Sequence, residues 1–145
     1  MRSAIGDMGR MVKRLQVRHH HAANAALAEL GVSIVQWDAL RSLHENPGAS
    51  LHDLAQLTFQ TDQSFGALAS RMEARGLIER VPGRGRAVRH RLTEEGERVR
   101  QAGAELVEGV LSESFCPLSV AQQRTFERLL RQLVAEPGEP EPSGR

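Results

Sequence analysis

A single cysteine, Cys116, stands in 145 residues, so no intramolecular disulfide can staple the chain and no cage of cysteines can hold zinc. The fold must rest on packing. Aromatic residues are almost as scarce, with no tyrosine, one tryptophan and four phenylalanines. No apolar run approaches the ~18 residues needed to cross a bilayer, and Met1-Arg2-Ser3-Ala4-Ile5-Gly6-Asp7 lacks the apolar core of a signal peptide. A cytoplasmic protein without a membrane partner is therefore expected. No glycine-rich phosphate loop, nucleophile elbow or metal-ligand pair at helical spacing occurs, so neither an enzyme nor a cofactor is expected. Lysine is nearly absent too: Lys13 stands against eighteen arginines.

The residues present suit one compact domain, with or without a docking appendage: 40% are apolar and 26% charged. Ile5, Met8, Val12, Leu15, Ala22, Ala23, Ala26, Leu27 and Leu30 recur at three- and four-residue spacing, which predicts one long amphipathic helix ended by Gly31. Ser33 can cap a second helix carrying Ile34, Trp37, Leu40 and Leu43, closed by Asn46-Pro47-Gly48. Ser50 opens a short helix. Thr61 or Asp62 can cap the next, with Phe65, Leu68 and Met72 on its inward face and Gly76 as its stop.

From Leu77 the period changes. Leu77–Val81 and Val88–Leu92 are strand-compatible runs around Pro82-Gly83-Arg84-Gly85-Arg86, a β-hairpin with a basic tip. A helix restarts after Thr93, where Glu94, Glu95 and Glu97 suit the positive end of the helix dipole. Its expected apolar stripe is Val99, Ala102, Leu106, Val110 and Phe115. A last helix from about Ser119 carries Phe126, Leu129, Leu130, Leu133 and Val134. The acidic, proline-rich 137–145 tail reads as disordered.

The expected fold is mainly α with a small β-hairpin wing. Residues 31–96 form a winged helix-turn-helix, and 1–30 with 97–136 form a helical dimerisation region. The outer stripes have no partner in so small a chain, which points to a homodimer.

Arginine density peaks between Arg75 and Arg91, where six arginines face one glutamate for a net +5, although the whole chain carries only +1. Such polarisation suits a polyanion, the competing reading being a solvated hairpin face. The capped helix before the hairpin can lay its N-terminal turns in a major groove while the hairpin reaches flanking phosphates. Thr61, Gln63, Ser64, Gly66, Ala67, Ser70 and Arg71 are the expected contacts on that helix. Gln63 suits adenine, Ser64 a base or phosphate, and Arg71 phosphate. Arg75, Arg84, Gly85, Arg86 and Arg89 are the expected contacts of the wing and its flank.

The chain resembles the MarR family of bacterial transcriptional regulators. The likeness is carried by Leu51-x-x-Leu54-Ala55, Gly76-Leu77-Ile78-Glu79-Arg80, the glycine- and arginine-rich hairpin tip, and Leu92-Thr93-Glu94-Glu95-Gly96. It implies a homodimer on a pseudo-palindromic operator in double-stranded DNA, usually a repressor, released by a small lipophilic or phenolic ligand or by thiol oxidation. Two positions depart from the family pattern. An Asp-x-Arg pair is replaced by Arg84-Gly85-Arg86, which favours phosphate attraction over minor-groove reading. Ala67 stands where many relatives carry a polar or basic residue, which shifts weight towards DNA shape.

Other chemistry is weaker. His19, His20 and His21 point about 100° apart on a helix and cannot converge on one ion, so no metal site is expected. Cys116, between Phe115 and Pro117 with no flanking base, reads as an inert helix-end cysteine. Trp37, Arg41 and His44 share a helix face and, with His19, could border a pocket for a small aromatic acid; Trp37 in the core with the others on its rim is the competing role. A winged-helix protein-binding adaptor is the alternative to a DNA-binding regulator. It would lack steep salt dependence.

Overall fold

The computed structural model describes residues 3–82, 85 and 88–135. Its elements are α1 (Ala4–Leu27), a 3-10 turn (Ala28–Leu30), α2 (Ile34–Glu45), α3 (Leu51–Leu57), α4 (Asp62–Ala74), β1 (Ile78–Arg80), β2 (His90–Leu92), α5 (Glu94–Phe115) and α6 (Val120–Val134). Two compact units result, Met1–Leu111 and Ser112–Arg145, with the boundary inside α5. The expected disordered tail lies outside the described residues.

Side-chain caps set most of the helix starts. Ser33, Ser50 and Ser119 each form a reciprocal capping box, with Gln36, Asp53 and Gln122 respectively. Gly31 ends the first helical stretch in the left-handed region at φ 72°. Across that corner the Asn24 side-chain oxygen accepts the Ile34 N–H at 2.7 Å, joining α1 to the start of α2.

The core of the first unit is aliphatic. Leu27, Val32, Leu40, Leu43, Leu54, Phe65, Leu68, Met72, Leu77, Ile78 and Val99 are buried together with Trp37. The first half of α1 stays outside this core, with Ile5, Met8, Met11 and Val12 exposed. In the second unit Phe115 and Phe126 pack with ring centres 6.0 Å apart, while Val120, Leu129, Leu130, Leu133 and Val134 are exposed.

The hairpin is shorter than the apolar runs suggest. Pairing is antiparallel and limited to Ile78↔Leu92, Glu79↔Arg91 and Arg80↔His90. The Val81 N–H still reaches the Arg89 carbonyl at 3.0 Å, but Pro82 has no N–H with which to extend the ladder. On the other edge Ser50 bridges to Arg89, and the Leu51 N–H donates to the Val88 carbonyl at 3.3 Å.

The buried face of α5 also differs from the expected stripe, because glycine carries it. Gly96, Val99 and Gly103 are the buried positions, whereas Ala102 and Leu106 are half-buried. A Cβ on Gly96 would lie 1.9 Å from the Leu77 carbonyl oxygen, and one on Gly103 would lie 2.4 Å from Trp37 Cδ1. Gly96→Ala should therefore lower stability by about 2–3 kcal/mol through overpacking, read as a lower denaturant midpoint at unchanged slope. Gly109→Ala, with nothing within 4 Å, should be neutral or slightly stabilising.

Candidate nucleic-acid interface

Helices α3 and α4 form a helix-turn-helix whose second helix shows two chemically different sides. Thr61 caps α4, its hydroxyl accepting the Ser64 N–H at 3.1 Å. Phe65, Leu68, Ala69 and Met72 are buried. Gln63, Ser64, Ala67, Ser70 and Arg71 are exposed, and Gly66 is half-exposed. The exposed set lies on one side of a thirteen-residue helix and combines an amide, hydroxyls and one guanidinium. Arg71 is oriented by no ion pair or side-chain hydrogen bond among the described residues; it lines a cleft of about 390 Å³ with Ser33, Gln36, Gln60 and Ser64. At the N-terminal end of α4, His52 Nδ1 approaches the Asp62 carboxylate at 2.9 Å.

The arginines that follow are not equally available. Arg75 donates to the Gly31 carbonyl and Arg89 to the Gly48 carbonyl, so each ties a wing flank to another loop. Arg91 pairs with Glu79 at 2.7 Å. Gly85 is exposed at φ 107°, a conformation that favours glycine. Arg84 and Arg86, the expected tip contacts, lie outside the described residues.

Wing and recognition helix are joined by Glu73, in the last turn of α4. Its Oε1 accepts from His90 Nε2 on β2 and, at 3.1 Å, from Arg80 Nε on β1. His90 is buried, and its Nδ1 is sealed without a hydrogen-bond partner. A carboxylate oxygen beside Nε2 can only accept, so the shared hydrogen is carried on that nitrogen. Hydrogen bonding from His90, aided by Arg80, holds the Glu73 carboxyl below its ordinary value despite partial burial. Charge patterning in the sequence gave no sign of this node. A histidine between two arginines, Arg89 and Arg91, at the start of β2 was the one available hint.

The four residues expected around an aromatic acid divide. Trp37 is buried against Gly103, and its indole N–H donates to the Arg100 carbonyl at 3.0 Å. Arg41 lies over the Trp37 ring at 5.5 Å and pairs with Asp38. His44 turns instead to Glu97, 3.3 Å away, and lines a different cleft of about 440 Å³ with Leu43, Arg89, His90 and Leu92. His19, on α1, is half-exposed. No group of three or more histidine, cysteine or acidic side chains that could hold a metal ion occurs among the described residues, and Cys116 is exposed.

A capped recognition helix, a two-stranded wing and flanking helices define a winged helix-turn-helix protein. Residues 30–87 match the sequence model of the MarR family. An HTH-type transcriptional repressor of Mycobacterium tuberculosis, Rv2887, is 27% identical over 131 residues, covering 89% of this chain and 94% of the relative. Structures of that MarR family protein superpose on this fold. Its complex with salicylic acid gives a TM-score of 0.74 at 27% identity, covering 86% of this chain and 94% of the other. Its complex with DNA gives 0.75 at 25%, covering 88% and 97%. The chain is thus similar to the MarR family across its helix-turn-helix and hairpin, and to one MarR family repressor over most of its length.

The lowered Glu73 value gives a signed pH dependence. A carboxyl whose folded value is depressed contributes stability above its unfolded value, about 4.5, and that contribution is lost as pH falls through the lower folded value. Glu73→Gln should cost about 1–2 kcal/mol at neutral pH. The variant should also show a smaller further loss than the parent between pH 5 and pH 3 in urea melts.

Proposed function

We propose that the chain is a homodimeric, sequence-specific DNA-binding repressor of transcription that a small aromatic carboxylate releases from a pseudo-palindromic operator. The observation that carries this reading is the exposed face of α4, which offers Gln63 and Ser64 at its N-terminal end and the unpaired Arg71 two turns later. An amide and a hydroxyl at the end of a helix that enters the major groove can read base edges. A cation further along meets phosphate. The wing, joined to α4 through Glu73, delivers further contacts from Gly85, Arg84 and Arg86, with Arg75 and Arg89 as flanking cations. That the relative Rv2887 has been crystallised with DNA and with salicylic acid supports both halves of the proposal.

The dimer rests on apolar residues that the monomer leaves in water. Ile5, Met8, Met11 and Val12 on α1, and Leu129, Leu130, Leu133 and Val134 on α6, are surfaces a second copy would cover. Residues 31–96 then act as the reading head and the outer helices as the dimerisation region. No helix among the described residues is long and apolar enough to cross a membrane, which accords with a cytoplasmic regulator.

Release requires a ligand that favours one arrangement of the dimer over the other. The carboxylate would displace Asp38 from Arg41 and lie beside Trp37; His44, drawn to Glu97, and His19 on α1 have no assigned part in it. A coupling of about 1–3 kcal/mol would change operator affinity roughly 5- to 150-fold.

Selection of bound fragments from the source genome, followed by salt titration on one selected site, tests DNA recognition. Parent binding should fall steeply with salt, and Arg71→Ala should reduce the slope by about one unit per subunit on specific and random DNA alike. Gln63→Ala should weaken the selected site more than random DNA. Salt-independent binding would favour a protein-binding adaptor. For the ligand, salicylate should change Trp37 fluorescence and release DNA together, and Arg41→Ala should abolish both responses. Release that persists in Arg41→Ala would place the ligand elsewhere.

A further inference from the structure

Phe59 is the one non-glycine residue with positive φ among the described residues, at 56°, and it is 98% exposed. Both features are unfavourable. The left-handed region crowds any side chain with a Cβ, and a fully solvated phenylalanine buries none of its apolar surface. The conformation is nevertheless firmly held by its neighbours. The Phe59 N–H donates to the Gln56 carbonyl at 3.2 Å and the Gln60 N–H to the Ala55 carbonyl at 2.8 Å. The Thr58 hydroxyl donates to the Leu54 carbonyl at 2.7 Å and receives the Gln60 side-chain amide at 3.2 Å. The turn is thus braced on both sides of a ring that touches nothing. Those two backbone bonds close α3 through a left-handed cap residue, so the backbone conformation serves the fold. What the fold leaves unused is the solvated ring, which a glycine at this cap would lack, and the ring points to a partner outside it.

Position identifies the partner's chemistry. Phe59 lies in the turn between α3 and α4, two residues before the Thr61 cap, at the end of α4 that presents Gln63 and Ser64. Leu57, the last residue of α3, is also 47% exposed. The apolar group that the major groove displays is the thymine C5-methyl. We propose that Phe59 is a specificity-determining DNA contact that packs against a thymine methyl at the edge of the groove entered by α4. This inference rests on the proposed DNA recognition.

The test combines a protein variant with a DNA variant. On the site selected from genomic fragments, deoxyuridine replaces thymidine one position at a time, removing only the methyl. At one position in each half-site the parent should lose about 3- to 10-fold in affinity. Phe59→Gly should bind the thymidine site more weakly by a similar factor, be indifferent to that uridine, and keep the parent's salt slope. Phe59→Leu, still apolar, should retain part of the methyl dependence. The thermal midpoint of Phe59→Gly should equal or exceed that of the parent, because glycine accepts the left-handed conformation.

Unchanged affinity in Phe59→Gly would overturn the inference, as would equal uridine losses in parent and variant. A lowered midpoint would assign the ring to the fold and would also overturn it. Failure of the DNA-binding reading itself would look different, since the parent would then show no salt-dependent binding to any fragment.

Discussion

The Leu77 carbonyl oxygen accepts the Thr93 N–H at 3.1 Å and lies so close to Gly96 that no Cβ could stand there. Thr93 completes the joint, with its hydroxyl donating to the Gly76 carbonyl and accepting the Gly96 N–H at 3.0 Å. Three chain segments meet within these few atoms: the exit from α4, the return of the hairpin and the first turn of α5. Any side chain at position 96 would push the hairpin base off the helix and shift the wing relative to α4. The threonine and glycine of Leu92-Thr93-Glu94-Glu95-Gly96 thus act as a joint, while Glu94 and Glu95 serve the helix dipole.

Glu73 fastens the same block from the other side. Its two hydrogen bonds reach both strands of the hairpin from the last turn of α4, so that helix and the base of the hairpin are braced into one rigid block. Rigidity matters because a contact misplaced by an ångström loses most of a hydrogen bond's directionality. The arginines are divided between those engaged within the fold and those left open. Arg75 and Arg89 hold loops, Arg80 neutralises Glu73 of α4 and Arg91 neutralises Glu79 of the hairpin, whereas Arg71 has no such partner among the described residues.

Much of this was legible in the sequence. The serine and threonine caps, the glycine stops and the apolar spacing placed all six helices, because those signals are local. The two sides of α4 followed from periodicity alone. Non-local features were not legible. A stripe counted in apolar residues could not show that α5 packs through Gly96 and Gly103, since a glycine contributes by what its neighbours fill. The net +5 of the hairpin region could not show which arginines were committed to carbonyls and carboxylates. Hydrogen bonds spanning 7 to 44 residues decide that. Phe59, apolar beside an apolar helix, offered nothing to suggest that it stands in water.

The central claim is that α4 of each subunit reads a major groove, and protection of guanine N7 from methylation tests it most directly. N7 is accessible in the major groove, so a bound recognition helix should shield it at chosen positions. On a selected site the account predicts two clusters of protected guanines on one face of the duplex, centred about 10 base pairs apart. Each cluster should be lost when Gln63 and Ser64 are both replaced by alanine. Tight binding with no N7 protection, or protection in a single groove without a symmetric counterpart, would contradict it.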